Sequence, residues 1–326
     1  MTTLPAIQRG SIILVAGTNE QYTMPLAITL SSLLINLKSP LPVEVYILST
    51  HLSAEAKRRL TRAVVRRSNV NLTFITVDSD LLTSYSQVKH LTVDALLRLF
   101  SPKVLPPEIE KALYLDCDLL VLKDVTPLWQ LDETGFPARA AFDPAVRVVS
   151  SEWGLGNYRE LGLPANSPYF NSGVMLMNLT MWRAENIGPT CLDYVSEHET
   201  HFLDQDAINA VLAGRIGVLP MTWNALVNHL RYFSRWPDDD LKRAIAPEIR
   251  DLQRSPAICH FAGAFKPWLP GYQIPFVGRW IYYLWRSRWF SLGETALWTA
   301  KWSLAHIRIV FGRKVLARLF KARSAG

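Results

Sequence analysis

Asp116-Cys117-Asp118 sets two carboxylates one residue apart, directly after the apolar run Ala112-Leu113-Tyr114-Leu115. Such a run reads as a buried strand, and on an extended chain residues i and i+2 face the same side. Both carboxylates then point at one spot in a cleft, where they repel each other. A hard divalent cation relieves that repulsion and can bridge to phosphate oxygens. A solvent-exposed loop with two acids would show the same letters.

A second chemical reading of a strand ending in this triplet is a phosphatase working through an aspartyl phosphate. That pattern wants Gly and Thr after the second Asp, near the chain start, whereas Leu119 and Leu120 follow here, a third of the way along. Another cluster, Cys259-His260-Phe261-Ala262-Gly263-Ala264-Phe265-Lys266-Pro267-Trp268, offers an imidazole suited to Mn²⁺ or Zn²⁺. Lys266 follows across Gly263, where backbone can approach a ligand closely and a cation could hold a diphosphate. A lone histidine is more often structural. Tyr169-Phe170-Asn171-Ser172-Gly173 is a polar turn before the apolar strand Gly173–Met177. Leu203-Asp204-Gln205-Asp206 opens a helical stripe, where acids commonly serve as caps.

The elements that must position these groups alternate between strand and helix. Ile12–Ala16, Val43–Leu48 and Leu72–Val77 read as strands, with helical spacing over Pro25–Leu37 and a Ser53-capped helix after the second strand. This alternation predicts an α/β protein with a mostly parallel central sheet flanked by helices. Its active site should lie past the carboxyl ends of the strands.

With 326 residues, 49% of them hydrophobic, a sizeable core is expected and disorder is not. The net charge of +7 is uneven. From Phe276 to Gly326 there are ten Lys or Arg and one acid, leaving the rest of the chain slightly acidic. The basic balance therefore describes a tail, not a nucleic-acid-binding body. The sequence divides into a catalytic body, 1–275, and a basic, Trp-rich helical extension, 276–326, whose Trp280, Trp285, Trp289, Trp298 and Trp302 suit a bilayer headgroup region. The same tryptophans could instead pack on the body. Cys117, Cys191 and Cys259 lack metal-type spacing and point to a reducing cytoplasm. No signal-peptide pattern is read, and no stretch reaches about 18 apolar residues, so neither secretion nor a spanning helix is expected.

Taken in order, residues 114–118 (Tyr-Leu-Asp-Cys-Asp), 170–174 (Phe-Asn-Ser-Gly-Val), 203–209 (Leu-Asp-Gln-Asp-Ala-Ile-Asn) and 260–268 (His-Phe-Ala-Gly-Ala-Phe-Lys-Pro-Trp) resemble glycosyltransferase family 8. The pattern is nearest to its bacterial lipopolysaccharide galactosyl- and glucosyltransferases and runs from about Ile12 to Trp268. The resemblance implies a GT-A type nucleotide-diphospho-sugar transferase fold. It implies retaining transfer from a UDP-sugar with Mn²⁺, Mg²⁺ being the alternative. Asp116, Asp118 and His260 match the family's metal ligands, and Lys266 its diphosphate lysine. Arg98, His90 and Asn171 match residues around the donor sugar, and Asp204 and Gln205 the catalytic pair beneath it. At the nucleotide end the segment reads Gly17-Thr18-Asn19-Glu20-Gln21-Tyr22, so Asn19 replaces an acid and Gln21 an asparagine. Either amide can still pair with uracil. Leu96 also stands where the family often has Tyr.

These implications amount to a hexosyltransferase moving galactose or glucose from a UDP-hexose to a saccharide or glycolipid acceptor such as lipopolysaccharide core. The enzyme would be cytoplasmic, docked on the inner membrane leaflet through its tail. A catalytically silent sugar-nucleotide or glycan-binding protein on the same fold is the alternative. The oligomeric state is not legible in the sequence.

Overall fold

A computed structural model describes residues 10–66, 68–78, 93–230 and 240–323. The chain begins with β1 (Ile12–Gly17), a 3-10 turn (Glu20–Tyr22), α1 (Thr23–Asn36), β2 (Val43–Ser49), α2 (Ala54–Val64) and β3 (Val70–Thr76). These three strands pair in parallel, with Val15 opposite Tyr46 and Tyr46 opposite Thr73. The side chains of β2 are buried along its whole length, as expected of a strand covered on both faces. Ser53 caps α2, its hydroxyl accepting from the Ala56 amide at 3.1 Å.

The middle of the chain supplies α3 (Leu97–Val104), β4 (Lys111–Leu115), β5 (Leu119–Val121), α4 (Thr126–Trp129), β6 (Ala138–Phe142), β7 (Phe170–Asn178), α5 (Leu179–Ala184), α6 (Ile187–Glu197) and α7 (Asp204–Val211). After these come β8 (Ile216–Val218), a 3-10 turn (Met221–Asn224), β9 (Ala225–Leu226), α8 (Asp240–Arg254), β10 (Ile258–His260), α9 (Val277–Ser287) and α10 (Leu292–Arg323). The main sheet has the order β3-β2-β1-β4-β7-β6-β8 and is parallel except where β7 runs against β4 and β6. A small sheet, β5-β10-β9, stands beside it.

This arrangement places the chemistry. β4 belongs to the main sheet and β5 to the small one, so residues 116–118 are the crossing between them. In the small sheet His260 lies opposite Leu119, which brings its ring next to Asp118. In the main sheet Leu115 pairs with Val174, and the Asp116 amide continues the ladder by donating to the Gly173 carbonyl at 2.8 Å. The extended chain expected at the triplet is not found, because Cys117 and Asp118 form a turn. Cys117 fixes it: the thiol donates to the Gly17 carbonyl at 2.9 Å, and the Cys117 carbonyl accepts from the Thr29 hydroxyl at 2.8 Å. All three cysteines are buried and free.

Trp280, Tyr283, Leu284 and Ser287 recur at helical spacing on one face of α9 and are all buried. Tyr283 hydroxyl accepts from Asn36 of α1 at 2.6 Å, and Trp289 is also buried. The first stretch of the basic extension thus packs on the body, while Tyr282 and Trp285 face outward. Leu292, Leu297, Leu304, Ile307 and Phe311 are exposed along α10. Among the described residues no helix is long and apolar enough to cross a membrane.

Candidate active site

Arg98 on α3 is the hub of the site. Its Nη2 lies 2.8 Å from Asp116 Oδ1 and its Nε 2.7 Å from Asp204 Oδ2, while Nη1 donates to the Ser172 carbonyl. The guanidinium stacks over Tyr114 with 4.6 Å to the ring centroid. A fully buried cation between two carboxylates satisfies what an isolated one could not. Burial pushes the Asp204 carboxyl up to about 7, against the pull of Arg98 and with the Asp116 charge adding to the rise.

Lys266 takes the corresponding place on Asp118, its Nζ paired with Oδ2 and also donating to the Phe261 carbonyl at 2.9 Å. Burial acts to raise the Asp118 carboxyl, but Lys266 and His260 outweigh it and hold it well below the usual carboxylate range. Each aspartate therefore has one oxygen tied to a cation. The other oxygens, Asp116 Oδ2 and Asp118 Oδ1, face His260 Nε2 at 3.7 and 3.3 Å.

The imidazole is oriented from behind. Asn171 Oδ1 accepts from the Gly173 amide at 3.0 Å and from Asn224 Nδ2 at 2.8 Å. With its Nδ2 thus assigned, Asn224 turns Oδ1 toward His260 Nδ1 at 2.9 Å, so Nδ1 donates to Asn224 and Nε2 is the nitrogen turned to the aspartates. One ligand atom each from Asp116, Asp118 and His260 lies within 4.8 Å of the others. Two carboxylate oxygens and one imidazole nitrogen suit a divalent metal ion. Gly173 keeps the space open, since a Cβ there would fall 2.8 Å from Asp116 Oδ2 and closer still to the His260 ring.

Two cavities, of about 230 and 350 Å³, meet at this point and share Ala95, Arg98, Asp116 and Asp118. The smaller is lined by Gly17, Thr18, Asn19, Tyr22, Asp94 and Lys266. Asn19 caps the first 3-10 turn by accepting from the Tyr22 amide at 3.1 Å, and its Nδ2 donates to Asp94 at 2.8 Å. The acid missing at position 19 is thus present from another element. Gln21 is exposed and does not line the cleft. With about three residues per turn, directing Tyr22 inward turns its neighbour away. His90 lies outside the described residues.

The larger cavity is lined by Asp143, Asn171, Asp204, Gln205, His260 and Gly263, among others. Gly263 has φ 81°, a left-handed turn that favours glycine. Gln205 Oε1 accepts from Asn171 Nδ2 at 2.9 Å and the Ser172 amide at 3.1 Å, while Gln205 Nε2 donates to Asp143 at 3.2 Å. Asp94, Asp143 and Asn224 were not singled out from the sequence. Each stands alone, without a neighbouring motif letter, and acquires its partners only through folding. A third cavity, of about 340 Å³, is lined by residues including Leu34, Ala63, Arg66 and Arg286 and has no carboxylate.

The mostly parallel sheet, with two carboxylates and an imidazole at the junction of two clefts, is of the GT-A type. The model of glycosyl transferase family 8 matches residues 13–270, and the chain belongs to that family. It is 28% identical over 289 residues to General stress protein A of Bacillus subtilis, covering 87% of this chain and 96% of that one. It is 24% identical over 265 residues to a lipopolysaccharide 1,2-glucosyltransferase of Escherichia coli, covering 77% and 71%. In fold it is similar to the galactosyltransferase LgtC, solved with donor and acceptor sugar analogues, at TM-score 0.69, 22% identity, 85% of this chain and 100% of that one.

Proposed function

We propose that the protein is a retaining hexosyltransferase that moves galactose or glucose from a UDP-sugar to a saccharide or glycolipid acceptor such as lipopolysaccharide core. The observation that carries this is the convergence of Asp116, Asp118 and His260, with Lys266 alongside, where the two cavities meet. Asp116, Asp118 and His260 would hold Mn²⁺, or Mg²⁺ in its place. A divalent cation bound there supplies positive charge to a departing diphosphate.

The chain's own groups divide the remaining work. Lys266 offers a second cation to the diphosphate, and Asn19 and Tyr22 sit where a base and ribose would enter. Arg98, Asn171 and Gly263 line the side taken by the donor sugar. Asp204 and Gln205 lie beneath it and provide electron-rich groups for an oxocarbenium-like sugar. The Gln205 carboxamide is a poor nucleophile whose oxygen already accepts from Asn171 and Ser172, which favours attack by the acceptor hydroxyl on the face the UDP leaves.

A catalytically silent binding protein would not need Lys266 and the triad together. Release of UDP from UDP-galactose and UDP-glucose, with and without Mn²⁺, tests the reading. Wild type should release UDP only with the metal, and Asp118→Asn should abolish release while staying folded. Near-wild-type turnover by that variant would remove the metal assignment.

The outward Tyr282 and Trp285, the arginines around them and the exposed apolar residues of α10 support docking of the extension, 276–326, on an anionic inner leaflet. Co-sedimentation with anionic vesicles should recover wild type and lose Trp285→Ala in part. Equal recovery of both would take Trp285 out of the contact.

A further inference from the structure

Two aromatic rings lining the larger cavity, His201 and Phe202, and Trp153 packed beside His201 are not used by donor chemistry. Trp153 meets His201 edge-on, with centroids 5.2 Å apart, and His201 lies 6.4 Å from Phe202. Trp153 is 52% exposed and Phe202 40%. His201 and Phe202 line the same cavity as Asn171, Asp204 and Gln205.

Buried groups hold these rings outward. Asp206, almost wholly inaccessible, accepts from the amides of His201 at 2.6 Å and Phe202 at 2.9 Å and pairs with the Tyr169 hydroxyl. Leu203, the next residue, has φ 47° and ψ −110°, a conformation that a bulky side chain reaches only under strain. The strain turns the chain into α7 and leaves residues 201 and 202 at the cavity mouth. Across from them, the Gly154 amide donates to Ser151 and the Leu155 amide to Val149, both at 2.8 Å. A Cβ on Gly154 would collide with the Val149 carbonyl, so only glycine allows the tight turn that presents Trp153. A loop free of such constraints would cover its apolar rings.

We propose that Trp153, His201 and Phe202 form a saccharide subsite for the acceptor, stacking on the pyranose ring next to the one that is glycosylated. The proposal rests on the transferase reading and narrows the acceptor to an oligosaccharide of at least two pyranose units. One face of a pyranose chair presents C–H groups of partial positive charge, and an aromatic face is negative, so the two attract while the hydroxyls stay in water. His201 and Phe202 line the cavity that holds Asn171 and Gln205, and Trp153 extends from His201, so a second ring reaches them from the cleft.

Saturation-transfer NMR with full-length protein tests this, using methyl β-galactoside and methyl β-glucoside against lactose and cellobiose. Wild type should bind at least one disaccharide better than its monosaccharide. Trp153→Ala and Phe202→Ala should each weaken that disaccharide by about tenfold, whereas Trp153→Phe, which keeps a ring, restores binding and Trp153→Leu does not. Thermal unfolding verifies that each variant is folded. Unchanged disaccharide binding in both alanine variants overturns the subsite, as does rescue by leucine or the absence of pyranoside binding to wild type. Failure of the transferase reading shows separately, as wild type that releases no UDP from UDP-sugars with Mn²⁺ present.

Discussion

Asn224 faces His260 across 2.9 Å, and neither residue belongs to the same element as the aspartates they serve. Asn224 ends a 3-10 turn and His260 ends β10, while Asp116 and Asp118 lie between β4 and β5. The contact sets which imidazole nitrogen faces the aspartates. It also joins the metal triad to Asn171, because Asn171 Oδ1 accepts from Asn224 Nδ2 at 2.8 Å.

Removing that acceptor should loosen metal binding without unfolding the protein. Asn224→Leu is expected to lower Mn²⁺ affinity by about 10- to 100-fold, and Asn224→Asp, which still accepts from Nδ1–H, by much less. Mn²⁺ titration followed by electron paramagnetic resonance measures both. Equal affinity in wild type and the leucine variant would show that Asn224 does not orient the ring.

Gly173→Ala should be more damaging than its size suggests. The added methyl has the Asp116 carboxylate at 2.8 Å and the His260 ring nearer still, and β7 is fixed by its two neighbours. A cost of about 1–3 kcal/mol in stability and loss of Mn²⁺ binding are expected. Denaturant unfolding and metal titration check the two effects separately.

The metal-free protein should stiffen on loading. Without a bound metal, Asp116 and Asp118 face each other, balanced among the described residues by Arg98, Lys266 and His260. Mn²⁺ at 100 times its dissociation constant should stabilise the fold by about 2.7 kcal/mol, visible as a rise in Tm. EDTA should reverse the rise, and Asp118→Asn should show none.

Asp204 makes stability depend on pH in a defined direction. Its folded pKa, raised to about 7 from 3.8, means that the folded state binds the proton more tightly than the unfolded one. Its contribution is fully present below about pH 4 and is lost as pH rises toward 7. Asp204→Asn cannot titrate, so wild type should lose stability relative to this variant across that window. Denaturant midpoints at pH 4.5 and 7.5, measured without metal, give the difference, and parallel pH profiles would contradict the assignment.

Trp280 and Trp285 should part company although both lie on α9. Trp280 is fully buried against the body, so Trp280→Ala should cost about 3–5 kcal/mol, whereas the outward Trp285→Ala should change stability by about 0.5 kcal/mol or less. Thermal unfolding distinguishes them.

Much of the architecture was legible beforehand because it rests on local pattern. Uninterrupted apolar runs marked β1, β2 and β4, and Ser53 marked the start of α2, since burial on both faces and capping are written in adjacent residues. The family order of motifs was legible for the same reason: 114–118, 170–174, 203–209 and 260–268 are contiguous strings. Position along the helix decided what letters could not. Trp280 and Trp285 are equivalent in composition, and only the face turned toward α1 separates them.

The sequence by itself therefore determined which chemical groups this protein carries and in which segments: the paired aspartates, the imidazole, the lysine and the family they define. Tertiary structure alone decided their geometry, because the partners come from elements far apart in the chain. The turn at Cys117-Asp118 replaced an extended segment once a thiol found the Gly17 carbonyl 100 residues away. Gln21 turned out of the cleft and Asp94 entered it beside Asn19. Asn224, a solitary letter in the sequence, became the residue that orients His260, since hydrogen bonds between buried groups depend on distance in space and not on separation along the chain.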